Sequence, residues 1–159
     1  MRKKLVAFFS ASGVTRAVAK RLADGIHADI VEIQPTELYS KADLDWTNAS
    51  SRSSIEMKDP ASRPTFAPVK IDTDDYDTVF IGFPIWWYVA PHIINSFLEA
   101  YDMSGKTVVP FATSGGSGMG KTNEALCPSC NGANLAQGRV FPSGVSEDQL
   151  ADWAKGFCR

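Results

Sequence analysis

The chain has few of the residues that staple a fold or chelate a metal. Its three cysteines are an odd and small number, so they make no disulfide framework. Cys158 and two distant histidines, His27 and His92, form a poor set of metal ligands. No apolar run is long enough to cross a bilayer, so no membrane insertion is expected. Charge of one sign is also missing, since 16 Lys and Arg stand against 18 Asp and Glu, a net charge of −2. That leaves no basic footprint for nucleic acid and no acidic excess that would keep the chain unfolded. Met1-Arg2-Lys3-Lys4 before five apolar residues imitates a signal peptide faintly, but the apolar stretch is too short and runs into a Ser/Gly loop. The sequon Asn48-Ala49-Ser50 has no meaning without secretion, and the expected compartment is the cytoplasm. At 159 residues the chain should form one domain, residues 1–159, with a substantial core.

What is present begins with Leu5-Val6-Ala7-Phe8-Phe9, an apolar run that reads as a strand buried on both faces. Val14, Val18, Leu22 and Ile26 recur every four residues, which predicts a helix over 15–25 packed on that strand. The six residues Ser10-Ala11-Ser12-Gly13-Val14-Thr15 therefore turn from a strand into a helix N-terminus. Unpaired N–H groups and the positive end of the helix dipole favour an anion there. Ser10, Ser12 and Thr15 supply hydroxyls, and Gly13 lets the backbone come close to a ligand. The loop contains no lysine, which suits a phosphate monoester that is bound and left uncleaved.

A hydroxyl, one residue, a hydroxyl, Gly, one residue and Thr after the first strand resemble the FMN-phosphate loop of flavodoxins and flavodoxin-like FMN oxidoreductases. The resemblance runs along nearly the whole chain. It implies that Ser10, Ser12, Gly13, Val14 and Thr15 hold the phosphate of FMN. A capping turn is the plainer alternative for the loop taken alone.

Residues 28–33 alternate as a second strand and close a right-handed βαβ unit. From Gln34 to Pro68 the pattern breaks down, with Leu44, Trp46 and Ile55 as scattered apolar anchors and prolines at 60, 64 and 68. So long a connection should contain a helix and cover a sheet edge or part of the ligand site. Asp45-Trp46 and Arg52-Ser53 resemble a segment typical of one flavodoxin-like subfamily, with Trp46 expected as a packing anchor. Asp72, Asp74, Asp75 and Asp77 enter the third strand, 78–83, at its N-terminal end, so they read as a solvated turn and not as a metal site.

The third strand runs into Pro84-Ile85-Trp86-Trp87-Tyr88, ahead of a helix over 92–100. Periodic packing cannot bury all three adjacent aromatics of such a loop, though one could plug the top of the sheet, and such surfaces suit a flat, electron-poor ring. In the resemblance this loop borders the flavin ring, with Trp87 the first choice for stacking. A fourth strand over 106–112 leads to Thr113-Ser114-Gly115-Gly116-Ser117-Gly118 and a helix from about Met119. The resemblance places Thr113, Ser114, Gly115, Gly116 and Gly118 along the polar edge of the flavin.

Two motifs offer rivals. Residues 115–122 spell the Walker A pattern of a P-loop nucleotide-binding protein after a strand. The chain beyond Thr122 is too short for the rest of such a core and has no apolar strand ending in a Mg²⁺-binding aspartate. Cys127-Pro128-Ser129-Cys130 spells a redox pair, yet it sits near a helix end, so incidental cysteines are the simpler reading. A last strand over 133–140 and a helix over 147–157 complete the chain. His92, at a helix start beside the aromatic loop, reads as a capping residue or as a neutral donor near substrate.

The alternation predicts an α/β fold, a three-layer α/β/α sandwich with a five-stranded parallel sheet in order 2-1-3-4-5. The resemblance implies FMN as the redox centre, with no catalytic side chain of its own and no metal. Two functions fit: an NAD(P)H-dependent FMN or quinone reductase, or a one-electron carrier that docks on a redox partner protein. Carriers are usually strongly acidic, and a charge of −2 weakens that reading. They also commonly place a glycine where Ile85-Trp86-Trp87 stands; a turn needing positive φ here would cost about 1 kcal/mol or more, which disfavours one-electron chemistry. An exposed aromatic wall leaves monomer and homodimer both open.

Overall fold

A computed structural model describes residues 3–114 and 118–157. Among these residues six strands form one parallel sheet: β1 (Lys3–Phe8), β2 (Asp29–Glu32), β3 (Tyr76–Pro84), β4 (Thr107–Thr113), β5 (Asn134–Leu135) and β6 (Arg139–Phe141). The order is β2-β1-β3-β4-β5, with β6 also paired to β4, so the expected order holds. Five helices flank the sheet: α1 (Val14–Ile26), α2 (Arg52–Lys58), α3 (His92–Ala100), α4 (Thr122–Leu126) and α5 (Glu147–Ala154).

The period of two along β1 explains the layers. Leu5, Ala7 and Phe9 join Ile81, Phe83, Ile93, Ile94, Phe97 and Leu126 in the core beneath α3 and α4. Val6 and Phe8 face the other way, into a core with Val18 and Leu22 of α1, Phe80, Phe111 and Leu150 of α5. Only the middle of the α1 stripe is buried, because Val14 emerges at the top of the helix, 40% exposed. α5 starts on a full capping box, in which Ser146 and Gln149 satisfy each other's backbone N–H.

Three expectations need correction. The last strand is delivered in two pieces, and the gap is spanned by Asn123 of α4. Its amide donates to Ala136 O (2.8 Å) and accepts from Gly138 N–H (3.1 Å), in place of ladder bonds. The helix expected from Met119 starts only at Thr122 and lasts five residues. Trp46 and Ile55 are 74% and 57% exposed, so neither anchors the 34–68 connection. That segment is held instead by Tyr39 and Phe66 against the core and by a bridge between Pro35 and Phe66. It does contain a helix, α2, capped by Ser51.

Candidate functional site

In a parallel sheet every strand points the same way, so the loops leaving β1, β3, β4 and β6 gather at one end. There they enclose a cleft of about 350 Å³ lined by Ser12, Val14, Pro84, Ile85, Trp86, Thr113, Ser114 and Ser143. Its volume is in the range of small-molecule sites, and its lining is apolar or hydroxylic, without one carboxylate.

The floor is the turn into α1. Gly13 takes φ +93° as the N-cap, a conformation that glycine alone adopts cheaply, and nothing lies within 4 Å of where its Cβ would be. The hydroxyl of Ser10 accepts from the N–H of Gly13 (3.0 Å) and of Arg16 (3.2 Å), so Ser10 organises the loop from beneath. The N-cap, Gly13, has no side chain and the first turn of α1 has no acidic residue, so with Arg16 N–H taken by Ser10 the N–H groups of Val14 and Thr15 are left for a ligand at the positive end of the helix. Beside the loop, the Arg16 guanidinium is held by Glu32 at 2.6 Å.

One side of the cleft is fastened to the other by a buried hydroxyl pair. Thr15 Oγ1 and Thr113 Oγ1 are 2.7 Å apart, and the residues are 1% and 4% exposed. One hydroxyl donates to the other, which leaves a single donor hydrogen beyond the pair. Ile85 N–H donates to Thr113 O at 2.9 Å and continues the β3–β4 register into the wall.

The aromatic loop departs most from expectation. Trp86 and Val89 exchange two backbone hydrogen bonds (2.9 and 3.2 Å), while Trp87 and Tyr88 between them take φ +50° and +68°. This is a two-residue turn of the type normally built from Asn-Gly. Bulky residues in the left-handed region cost about 1 kcal/mol or more each. Trp86 stands in the cleft wall, edge-on to Phe9 and Tyr39 with ring centroids 5.7 and 5.4 Å away, whereas Trp87 and Tyr88 are exposed on the rim. Tyr39 in turn lies under the Arg52 guanidinium at 3.8 Å and donates to Glu56, which pairs with Arg52. The 39–58 segment thus braces Trp86 from behind.

The structure therefore brings Ser12, Val14, Pro84, Ile85, Trp86, Thr113 and Ser114 to one cleft, with Ser10, Gly13 and Thr15 shaping its floor. Trp87 and Tyr88 sit at its rim, Gly118 is exposed outside the lining, and Gly115 and Gly116 lie outside the described residues. Ser143 was not visible as a site residue. It follows β6, which has only three residues, and it is fixed by Arg21, which donates to the carbonyls of Ser143 (2.8 Å) and Val145 (3.2 Å). Its signal was position alone, beyond the C-terminal end of a strand.

The rival motifs find other uses. Thr122 is fully buried and its hydroxyl donates to Met119 O at 2.5 Å, so it is not free for a metal-bound phosphate; Lys121 is exposed. Burial and the neighbouring Cys127 push the Cys130 thiol up to about 11, which is unsuited to a thiolate nucleophile. Cys158 lies outside the described residues. The described residues hold no cluster that could bind a metal ion and no helix long and apolar enough to cross a membrane. Ser62 donates to Glu56 O and so accepts from His92 Nδ1–H (2.6 Å); burial lowers the His92 pKa and keeps it neutral. His92 does not line the cleft.

Comparison with known proteins agrees with this geometry. Residues 3–157 match the model of a flavodoxin family. A protein classed as a flavoprotein from Bacteroides eggerthii has 43% identity over 100% of this chain and 99% of its own, with a TM-score of 0.92. A similar one from Bacteroides uniformis has 45% identity over 97% and 98%, with a TM-score of 0.91. A flavoprotein from Lactobacillus acidophilus in complex with FMN shares the fold at 22% identity, over 97% and 99%, with a TM-score of 0.75. No protein of curated function matches.

Proposed function

The chain belongs to the flavodoxin family, whose cofactor is FMN, and we propose that it works as an FMN-dependent reductase, taking electrons from NAD(P)H and delivering them in pairs to a small acceptor such as a quinone. When bound, FMN supplies the hydride-accepting and electron-donating chemistry. The residues present fit it. The Val14 and Thr15 N–H groups at the start of α1, the open space over Gly13 and the absence of carboxylates from the cleft suit a phosphate dianion. Ser12 and the spare hydrogen of the Thr15–Thr113 pair add hydroxyl donors. Pro84, Ile85 and Trp86 offer an apolar wall that excludes water from one side of a flat ring.

The observation that supports paired transfer is the closed Trp87–Tyr88 turn. A loop that favours one-electron chemistry offers the flavin a backbone carbonyl that can swing toward it, which glycine permits. In this turn the carbonyl of Trp86 accepts from Val89 N–H and that of Tyr88 from Lys121 N–H (3.0 Å). Bulky residues already occupy both strained positions, so a further peptide rotation is costly. Stepwise anaerobic reduction with FMN bound tests the proposal. Direct passage from oxidised to fully reduced absorbance, and oxidation of NADH or NADPH with a quinone present, would support it. A long-wavelength band accounting for most of the protein at half reduction would instead indicate a one-electron carrier.

A further inference from the structure

The sequence Gly120-Lys121-Thr122, which spells the end of a nucleotide loop, is spent on backbone geometry. Thr122 donates twice to Met119 O, through its N–H (3.1 Å) and its hydroxyl (2.5 Å), and so closes the turn that carries Gly120 and Lys121. Gly120 takes φ +55° and lies against the aromatic turn; a Cβ there would stand 2.5 Å from Tyr88 O and 2.7 Å from Tyr88 Cβ. Lys121 uses its N–H, donating to Tyr88 O at 3.0 Å, while its side chain faces solvent. α4 then follows, and Asn95 of α3 ties it down by donating to Ala125 O (3.2 Å). Since α3 begins at His92, just beyond the turn, the turn is held from both sides by one continuous circuit.

We propose that Gly120 and Lys121 form a backbone clamp that keeps Trp87 and Tyr88 left-handed, and that the clamp thereby fixes the rim of the flavin site. Two bulky residues do not hold this turn by local preference, so a contact from outside it must do so. Only a residue without Cβ can come this close to Tyr88, and the bond to its carbonyl is made by a backbone N–H, which any residue but proline at 121 supplies. Gly120 and Lys121 are positioning residues, and the Lys121 side chain takes no part. The second half of the proposal rests on the FMN reading above; the first half does not.

Amide hydrogen exchange in the flavin-free protein tests the clamp. In Gly120→Ala, the Trp86 and Val89 amides, both bonded within the turn, should exchange about tenfold faster or more, while those of Phe9 and Ile33 in the sheet keep their rates. Lys121→Ala, which retains the N–H, should leave all four unchanged. Tyr88→Gly, which removes the strain at that position and is expected to fold, should slow exchange at Trp86 and Val89. Wild-type rates at those two amides in Gly120→Ala, a uniform rise across all four, or faster exchange in Tyr88→Gly would each overturn the clamp. With FMN, Gly120→Ala should bind about tenfold more weakly and Lys121→Ala within about twofold of wild type. An unchanged FMN affinity in Gly120→Ala overturns the link to the flavin site. A wild-type protein that binds no FMN refutes the function instead, and the exchange result still stands on its own.

Discussion

Replacing Thr113 with valine isolates the bond that closes the cleft. Valine keeps the shape of threonine but leaves Thr15 Oγ1, in a residue 1% exposed, without its 2.7 Å partner. A buried hydroxyl that loses its partner costs about 1–3 kcal/mol, whereas replacing both partners with apolar groups of the same shape is close to neutral. Thr113→Val and Thr15→Val should therefore each destabilise the flavin-free protein by about 1–3 kcal/mol, and the double variant by less than the sum, with a coupling of about 1 kcal/mol or more. For a domain of this size each kcal/mol moves Tm by about 2–4 °C, so the effect is readable in heat or urea denaturation. FMN affinity should behave differently, because the double variant removes the spare donor hydrogen altogether. A lost hydrogen bond to a charged group is worth about 1.5–3 kcal/mol, tenfold or more in Kd. Single costs below a few tenths of a kcal/mol, or strict additivity in the double variant, would refute the reasoning.

Other expectations follow from the same geometry. Gly13→Ala meets no atom within 4 Å, so its cost is one of backbone conformation alone, about 1 kcal/mol or more in urea denaturation of the flavin-free protein. A variant as stable as wild type would contradict the left-handed Gly13. His92 is held below its ordinary pKa of 6.5, chiefly by burial, so the folded state binds its proton less well than the unfolded state. Its contribution to stability is full above pH 6.5 and is lost as the pH falls through the lowered value. The decline in Tm from pH 7.5 toward 5 should therefore be shallower in His92→Gln; equal slopes would rule out a lowered pKa. Tyr39→Phe removes the bond to Glu56 while keeping the edge contact to Trp86, and should alter Trp86 fluorescence less than Tyr39→Ala does.

The sheet order and the three loops were legible because β1, β3 and β4 are buried on both faces and α1 and α3 bury regular stripes. Residues 92–100 were read to their ends, since Pro91 and the stripe of Ile93, Ile94, Phe97 and Leu98 mark both start and face. What was hidden depends on partners distant in sequence. The break in the last strand is filled by Asn123 from another element, and no local pattern signals that. Trp46 has the composition of an anchor, but the anchoring is done by Tyr39, whose partners Phe9 and Trp86 come from two other loops. That Trp86 lines the cleft while Trp87 and Tyr88 turn away at positive φ is not signalled by three adjacent aromatics, because their own side chains do not favour that backbone state. Position at a strand's C-terminal end leads to the lining of the cleft whatever the residue type. It would have found Ser143 as readily as Ser114.

The measurement that bears most directly on the account is a titration of the purified, flavin-free protein with FMN, followed by the absorption and fluorescence of the flavin. The account predicts saturable binding at micromolar concentration or tighter, with a shifted flavin spectrum and a clear loss of affinity in Gly13→Ala. An FMN spectrum unchanged at micromolar protein, with affinity equally absent in wild type and variant, would contradict it.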